Sequence, residues 1–405
     1  MKYKLAVVGA GSAGIQALGH FLYWLDKRWE VTIIYDPNIK TLGHIESTNP
    51  GFVSALAFGA DYDVIQDAAE LDSKLKFGTQ YKKWRDYTFI NPLVTGIAAM
   101  NFDTNLMHDF LFPRIKKAWD FKFVELKGNV SKIDDKLNHA VITVDDIAHT
   151  FNFVIDCRGF NNPDQDPEDI VNIDTHCVNR CLVHMKNETV DCQYTNHYAT
   201  PDGWMWEIPL LTRTNYGYLF NDRITDVETA KINFSKEINV PVDKLDLKEY
   251  KFPTRYNKRV FQNHIIKNGL SAAFFEPMFS NSLWLYDKID NHIIDYIASH
   301  TDINEIKSNQ EQASYNKKVL HNIKEVEDML YFCYHGGSTY DTEFWQYAMK
   351  YCSEKLQSSE NLKRVKPLLR DMTINKHRVG NVDWFYGHLN LIKIDKNFGY
   401  NYFTA

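Results

Sequence analysis

No stretch of this chain approaches the ~18 consecutive uncharged apolar residues that a membrane-spanning helix requires, so a soluble protein is expected. Cysteine is sparse as well. Six cysteines spread over 405 residues make no dense disulfide framework, and a reducing cytoplasmic setting fits them. Neither sign of charge dominates. The chain has 46 Lys and Arg against 52 Asp and Glu, a formal net charge of -6, which offers no general attraction for nucleic acid or an anionic membrane. Internal repeats and low-complexity tracts are missing. Lys2 and Lys4 ahead of an apolar run imitate a secretory leader, but glycines interrupt the run and no convincing cleavage site follows, so a cytoplasmic location is expected.

Aromatic residues, by contrast, are plentiful: 14% of the chain, with nine tryptophans. A chain of this length buries a sizeable core and can divide into two parts. Leu5-Ala6-Val7-Val8 reads as a short buried strand, Gly9-Ala10-Gly11-Ser12-Ala13-Gly14 follows at once, and Ser12 to Leu25 carries apolar residues at helical spacing. Each glycine then has a task. Gly9 makes the tight turn, Gly11 lets backbone approach a pyrophosphate, and Gly14 lets helix pack on strand. The anion would rest on the helix N-terminus, where free N–H groups point at it. A second strand, Val31 to Tyr35, ends at Asp36, placed to bind a ribose hydroxyl.

Farther along, helices are expected over Asp63 to Lys74 and Asp109 to Asp120, with Pro113 either kinking the second or marking its start. Strands are expected over Ala140 to Val144 and Thr150 to Ile155, and Asn161 to Glu168 reads as a loop. Beyond Asp287 the pattern turns helical, over Asp290 to Ser299, Ile303 to Glu327 and Asp341 to Leu356. The expected fold class is α/β (α+β), with a sheet-rich cofactor body over residues 1–288 and a mainly helical cap over 289–405.

Several spaced motifs resemble one family, the flavin-dependent halogenases of the tryptophan halogenase type. Gly203-Trp204-Met205-Trp206-Glu207-Ile208-Pro209-Leu210 is similar to their GWxWxIPL signature. Leu42 to Thr48 is similar to their flavin-contacting segment, Ile155 to Phe160 to their IDCSGF, Phe275-Glu276-Pro277-Met278 to their FxEPL, and His335 through Phe344-Trp345 to a late histidine-to-FW stretch. The likeness runs from about residue 3 to about residue 346. It implies a Rossmann-type FAD-binding body, shared with flavoprotein monooxygenases, with a second sheet and a helical substrate cap.

The resemblance also assigns roles. FAD, as FADH2 delivered by a separate flavin reductase, would be held by Gly9, Gly11, Ser12, Ala13, Gly14, Asp36, Glu46, Ser47, Val130 and Leu283. Asn281 and Ser282 would hold halide. Trp204 and Trp206 would separate the flavin from an aromatic substrate, so that hypohalous acid alone reaches the ring. Two tryptophans at i and i+2 also share one face of any buried strand, and the flanking Gly and Ile-Pro are what point to the signature. Lys76 takes the catalytic position, because Lys76-Phe77-Gly78 followed by Tyr81 and Trp84 matches the family spacing, whereas Lys74 falls out of frame. It would polarise hypohalous acid as an ammonium or form a haloamine as an amine.

There are departures. Phe279 occupies the position of a second family glutamate, which argues against indole specificity and for phenols or other electron-rich rings. Asn281 and Ser282 replace the family's halide-binding pair, although backbone N–H groups there still suit an anion, and the altered site is expected to prefer bromide or iodide, less strongly hydrated and more easily oxidised, over chloride. Glu276 reads as structural. His176, Cys177, Cys181, His184 and Cys192 lack paired metal-ligand spacing, so no metal is expected. Asp72, Lys116, Lys117, Lys363, Arg364 and Lys366 read as solvated helix faces. No second glycine-rich nicotinamide site is found, which disfavours a self-reducing monooxygenase. A flavin-dependent aromatic monooxygenase and a non-catalytic flavin-binding protein stand as alternatives, and a homo-oligomer is compatible with the composition.

Overall fold

The computed structural model describes residues 2–39, 47–93, 99–159, 165–173, 177–300 and 307–359. Seven α-helices lie among them: α1 (Ser12–Trp24), α2 (Pro50–Ala60), α3 (Met107–Trp119), α4 (Val227–Ile238), α5 (Asn281–Ala298), α6 (Asn309–His335) and α7 (Glu343–Gln357). The chain groups into two compact units, each made of three segments: residues 1–74, 98–174 and 253–323 in the first, and 75–97, 175–252 and 324–405 in the second. This differs from the single division expected after residue 288. Strands distant in sequence pair within each unit, and local periodicity does not reveal such pairing.

The first unit is built on a six-stranded sheet in the order Phe261–Gln262, Ile265–Lys267, Phe153–Asp156, Tyr3–Val8, Trp29–Tyr35, Phe123–Lys127. The inner strands run parallel, and Leu5, Ala6, Val7, Ile33 and Ile34 are fully buried. Continuous apolar runs are what a parallel sheet covered on both faces demands. A three-stranded antiparallel meander, Val130–Asp135, Ala140–Val144 and Ile147–Phe151, packs Ile133, Ile142 and Val144 against Ala6, Val8 and Ile34. Helices α1 and α2 approach backbone to backbone. A Cβ on Gly19 would lie 2.2 Å from the Ala55 carbonyl oxygen, and one on Gly59 would lie 2.5 Å from Gly19 Cα.

The second unit carries a seven-stranded sheet in the order Lys248–Lys251, Arg180–Lys186, Thr214–Phe220, Gly203–Pro209, Thr195–Thr200, Gly78–Lys82, Phe89–Pro92. Its pairings are antiparallel except between Thr195–Thr200 and Gly78–Lys82. Helix α4 is capped by Asp226, whose carboxylate accepts from Thr229 N–H at 2.9 Å, and it covers Met205, Tyr216 and Tyr218 with Ala230 and Phe234.

Several local expectations are corrected. Asp63 to Lys74 is not a helix. The Asp63 carboxylate accepts from the N–H groups of Ile65 and Gln66, and Asp67 accepts from that of Asp63, a cap-like arrangement that starts a single turn which does not continue as an α-helix. Only a 3-10 turn, Ala68–Leu71, forms there, and Asp72 closes it in the left-handed region (φ 48°) as a buried residue, not a helix surface. Helix α2 was missed although Asn49 caps it and Pro50 starts it. Helix α3 runs through Pro113 from a start at Met107. Thr150 to Ile155 is two strands, because Asn152 pairs both its backbone and its side chain with Lys4 and ends the meander there. Helix α5 begins nine residues before the expected Asp290, at Asn281. Residues 161–164 of the expected loop lie outside the described residues, and the remainder runs into a 3-10 turn, Pro167–Asp169, capped by Asp166. Lys116 is exposed and paired with Glu125, as a solvated helix face implies; Lys363, Arg364 and Lys366 lie outside the described residues.

Candidate active site

In the first unit the glycine loop is fixed by what surrounds it. Gly9 sits at φ 104°, and a Cβ there would meet the Cys157 carbonyl oxygen at 2.9 Å; a Cβ on Gly14 would lie 1.8 Å from the Gly9 carbonyl oxygen. Neither position admits a side chain. A Cβ on Gly11 would have nothing within 4 Å, so open space faces the start of α1. That N-terminus has no side-chain cap and no acid in its first turn, where Ser12 and Ala13 stand. Its free N–H groups and dipole suit a pyrophosphate, and the loop fits a dinucleotide.

Asp36 closes the second strand, and its carboxylate accepts from the Asn38 backbone at 2.8 Å and side chain at 2.9 Å. With Asn38, Lys127, Gly128, Asn129 and Asp145 it lines a cleft of about 240 Å³. Val130 begins the strand directly after that lining. Leu283 is held to the first helix through Gln16, whose side-chain amide donates to the Leu283 carbonyl at 3.3 Å. Ser47 is buried and within 3.4 Å of the Ser280 hydroxyl. Glu46 lies outside the described residues.

Ser280 adopts φ 57° immediately before α5, an 18-residue helix with no side-chain cap and no acidic residue in its first turn. Asn281 is 3% exposed, and its Nδ2 has no hydrogen-bond acceptor among the described groups. Ser282 reaches the Asn281 side-chain oxygen at 3.5 Å. A buried amide donor and a bare helix N-terminus at one point make an anion-compatible end. Glu276, just upstream, is fully buried.

In the second unit Trp204 and Trp206 stand on one face of Gly203–Pro209, both buried, with ring centroids 5.9 Å apart. Gly217 lies directly opposite Trp206 in the neighbouring strand, and a Cβ there would fall 2.0 Å from the indole, so glycine makes the room. The Trp206 Nε1–H has no acceptor among the described groups. His197, which sequence reasoning missed, links this face to the next strand: its ring is 4.7 Å from Trp204 and 5.5 Å from Tyr81. Tyr81 continues to Trp84, and Trp84 to Trp345, whose Nε1–H donates to the Thr200 carbonyl at 2.8 Å. Nothing in the local pattern of Thr195 to Thr200 marks His197; the pairing of its strand does.

Lys76 is 2% exposed, and burial pulls its pKa down from 10.5 to about 7. The next residue pins its backbone, since Phe77 donates to the Gln193 carbonyl and accepts from Leu93 N–H, each at 2.9 Å. Gly78 is required one residue later, where a Cβ would come within 2.3 Å of the Asn91 carbonyl oxygen. The Lys-Phe-Gly spacing therefore has a structural reason at Phe77 and at Gly78.

A family model for tryptophan halogenase matches residues 91–379, more than half of the chain. The chain belongs to the tryptophan halogenase family. As a member it is a flavin-dependent halogenase, an oxidoreductase acting on aromatic substrates with halide and reduced flavin from a separate reductase. It is similar to tryptophan 7-halogenase RebH of Lentzea aerocolonigenes, 20% identical over 473 residues that cover 95% of this chain and 85% of the relative. Among solved structures it matches a tryptophan halogenase from Shewanella frigidimarina (TM-score 0.78, 16% identity, 96% of this chain and 89% of the other). BrvH, a flavin-dependent halogenase from Brevundimonas sp. BAL3, matches with a TM-score of 0.72 and 15% identity over 96% and 90% of the two chains. The shared architecture is the mixed α/β, Rossmann-type flavin fold.

Other features of this halogenase are structural. Among the described residues no group of His, Cys, Asp and Glu could hold a metal. Cys177 and Cys352 are buried with sulfurs 3.4 Å apart, Cys181 is buried in its strand, and His184 meets the Asp246 carbonyl at 3.2 Å. No described helix is long and apolar enough to cross a membrane.

Proposed function

We propose that the protein is a cytoplasmic, FADH2-dependent halogenase that attaches halogen to an electron-rich aromatic ring through Lys76. Reduced flavin, when bound, would supply two of the four electrons that dioxygen takes up and halide the other two, so that one oxygen leaves as water and halide leaves as hypohalous acid. The chain's residues do the rest. The glycine loop and Asp36 hold the dinucleotide; Glu46, Ser47, Val130 and Leu283 complete its setting, and Asn281 and Ser282 hold the halide. Trp204 and Trp206 wall off the organic substrate, and the unpartnered Trp206 Nε1–H is a donor suited to a small polar oxidant. Lys76 then presents hypohalous acid to the ring: the C–X bond forms, the X–O bond breaks, and the ring proton leaves with the oxygen as water.

The observation that carries this reading is a fully enclosed lysine whose pKa lies near 7, in the same unit as the paired tryptophans. Such an amine exists in both protonation states at neutral pH, so it can hydrogen-bond the oxidant or accept halogen. The substrate is open between two rings. The relatives are named for tryptophan, which favours an indole, whereas Phe279 in place of an acid favours a ring that loses its own proton, as a phenol does. Incubation with a flavin reductase, NADH, FAD, bromide and either tryptophan or a simple phenol, read by mass spectrometry, decides. Bromination is expected with at least one, and a hydroxylated ring would establish the monooxygenase alternative instead. Lys76→Met should abolish ring bromination while hypobromous acid still appears with a small-molecule trap. Bromination at the wild-type rate in that variant would refute the lysine role.

A further inference from the structure

Helix α3 touches the glycine loop through one side chain. His108, in its first turn, brings Nε2 to 2.6 Å from the Ala10 carbonyl oxygen. A carbonyl only accepts, so Nε2 carries the proton and donates. The ring is held for this contact, stacked on Phe112 with centroids 5.1 Å apart and tilted against Tyr35 at 5.3 Å. Ala10 lies between Gly9 and Gly11, and among the described residues the loop's other ties are backbone ones: Gly9 N–H to the Ile34 carbonyl at 2.8 Å and Ile15 N–H to the Gly11 carbonyl at 3.0 Å. Among the described residues the His108 bond is thus the one side-chain tie to the peptide joining Ala10 to Gly11.

That peptide matters because a trans amide points its C=O and its N–H to opposite sides. Turning the Ala10 oxygen toward His108 turns the Gly11 N–H away from it. Gly11 lacks a Cβ and faces open space, so little else prevents rotation of this amide plane. Rotated, it would aim a carbonyl at a bound phosphate in place of a donor. We propose that His108 is a positioning residue for the flavin pyrophosphate, a clasp that fixes the Ala10–Gly11 peptide with its N–H presented to the anion.

This inference rests on the reading that the loop holds FAD, and the test separates the two. FAD binding is titrated by quenching of flavin fluorescence for wild type, His108→Gln and His108→Leu, with thermal unfolding of each ligand-free protein alongside. Gln places an amide donor at a reach similar to Nε2, and Leu places none. Wild type and the Gln variant should agree within about twofold, and the Leu variant should bind about tenfold more weakly, as loss of one hydrogen bond predicts. Leu binding as well as wild type, or Gln weakened as much as Leu, overturns the clasp. Absence of FAD binding in wild type overturns the cofactor reading and the clasp with it. Should the Leu variant not fold, His108→Met, also without a donor, replaces it under the same expectation.

Discussion

Burial of Lys76 stores a penalty that Lys76→Met should release. An ammonium with a pKa of 10.5 when exposed and about 7 when folded is held against its own preference for water. Below pH 7 both forms are charged and the full cost stands. Between the two values the unfolded chain binds the proton that the folded chain has lost, so wild-type stability rises with pH. Linkage puts the cost at about 5 kcal/mol at pH 6, ~3 kcal/mol at pH 8 and ~2 kcal/mol at pH 9. Methionine fills similar space without a charge. The variant should therefore be the more stable protein at pH 6, and its advantage should shrink by about 1.4 kcal/mol per pH unit above neutrality. Urea unfolding followed by tryptophan fluorescence at several pH values measures the difference. A gap that stays constant from pH 6 to pH 9, or widens, would refute the claim that the amine is enclosed. A more stable but inactive variant would show a site kept for chemistry at the expense of stability.

Two other sites make separable predictions. Gly217→Ala pushes a methyl into the Trp206 indole and should cost ~1–3 kcal/mol of stability; if the tryptophans are the barrier proposed, the displaced ring should also raise the ratio of hydroxylated to brominated product, read by mass spectrometry. Asn281→Asp puts a carboxylate at the N-terminus of α5, which the helix dipole favours by ~0.3–1 kcal/mol. It should nevertheless raise the KM for bromide at least tenfold with FAD affinity unchanged, and an unaltered bromide KM would remove the anion role from this helix end.

The geometry of the glycine loop was legible because its signal is local. Strand, glycines, helix and terminal acid follow one another within 36 residues, and the close approaches at Gly9 and Gly14 are what those glycines exist to permit. Element boundaries were less legible where a helix-start signal leads to one turn only, as at Asp63, or where a residue such as Asn152 closes one sheet and admits another. Least legible were contacts made by register. His197 looks like an ordinary strand residue until the strand is laid between Trp206 and Tyr81, and Gly217 gains its meaning only opposite an indole. His108 belongs to the same class: 98 residues separate it from Ala10, and nothing in its neighbourhood in sequence marks it. A motif therefore identifies the groups that meet the ligand, while the residues that hold those groups in place are set by pairing and packing across the fold. If Phe279, Asn281 and Ser282 set what the enzyme accepts, as proposed, substitutions there should leave FAD binding by the glycine loop unchanged.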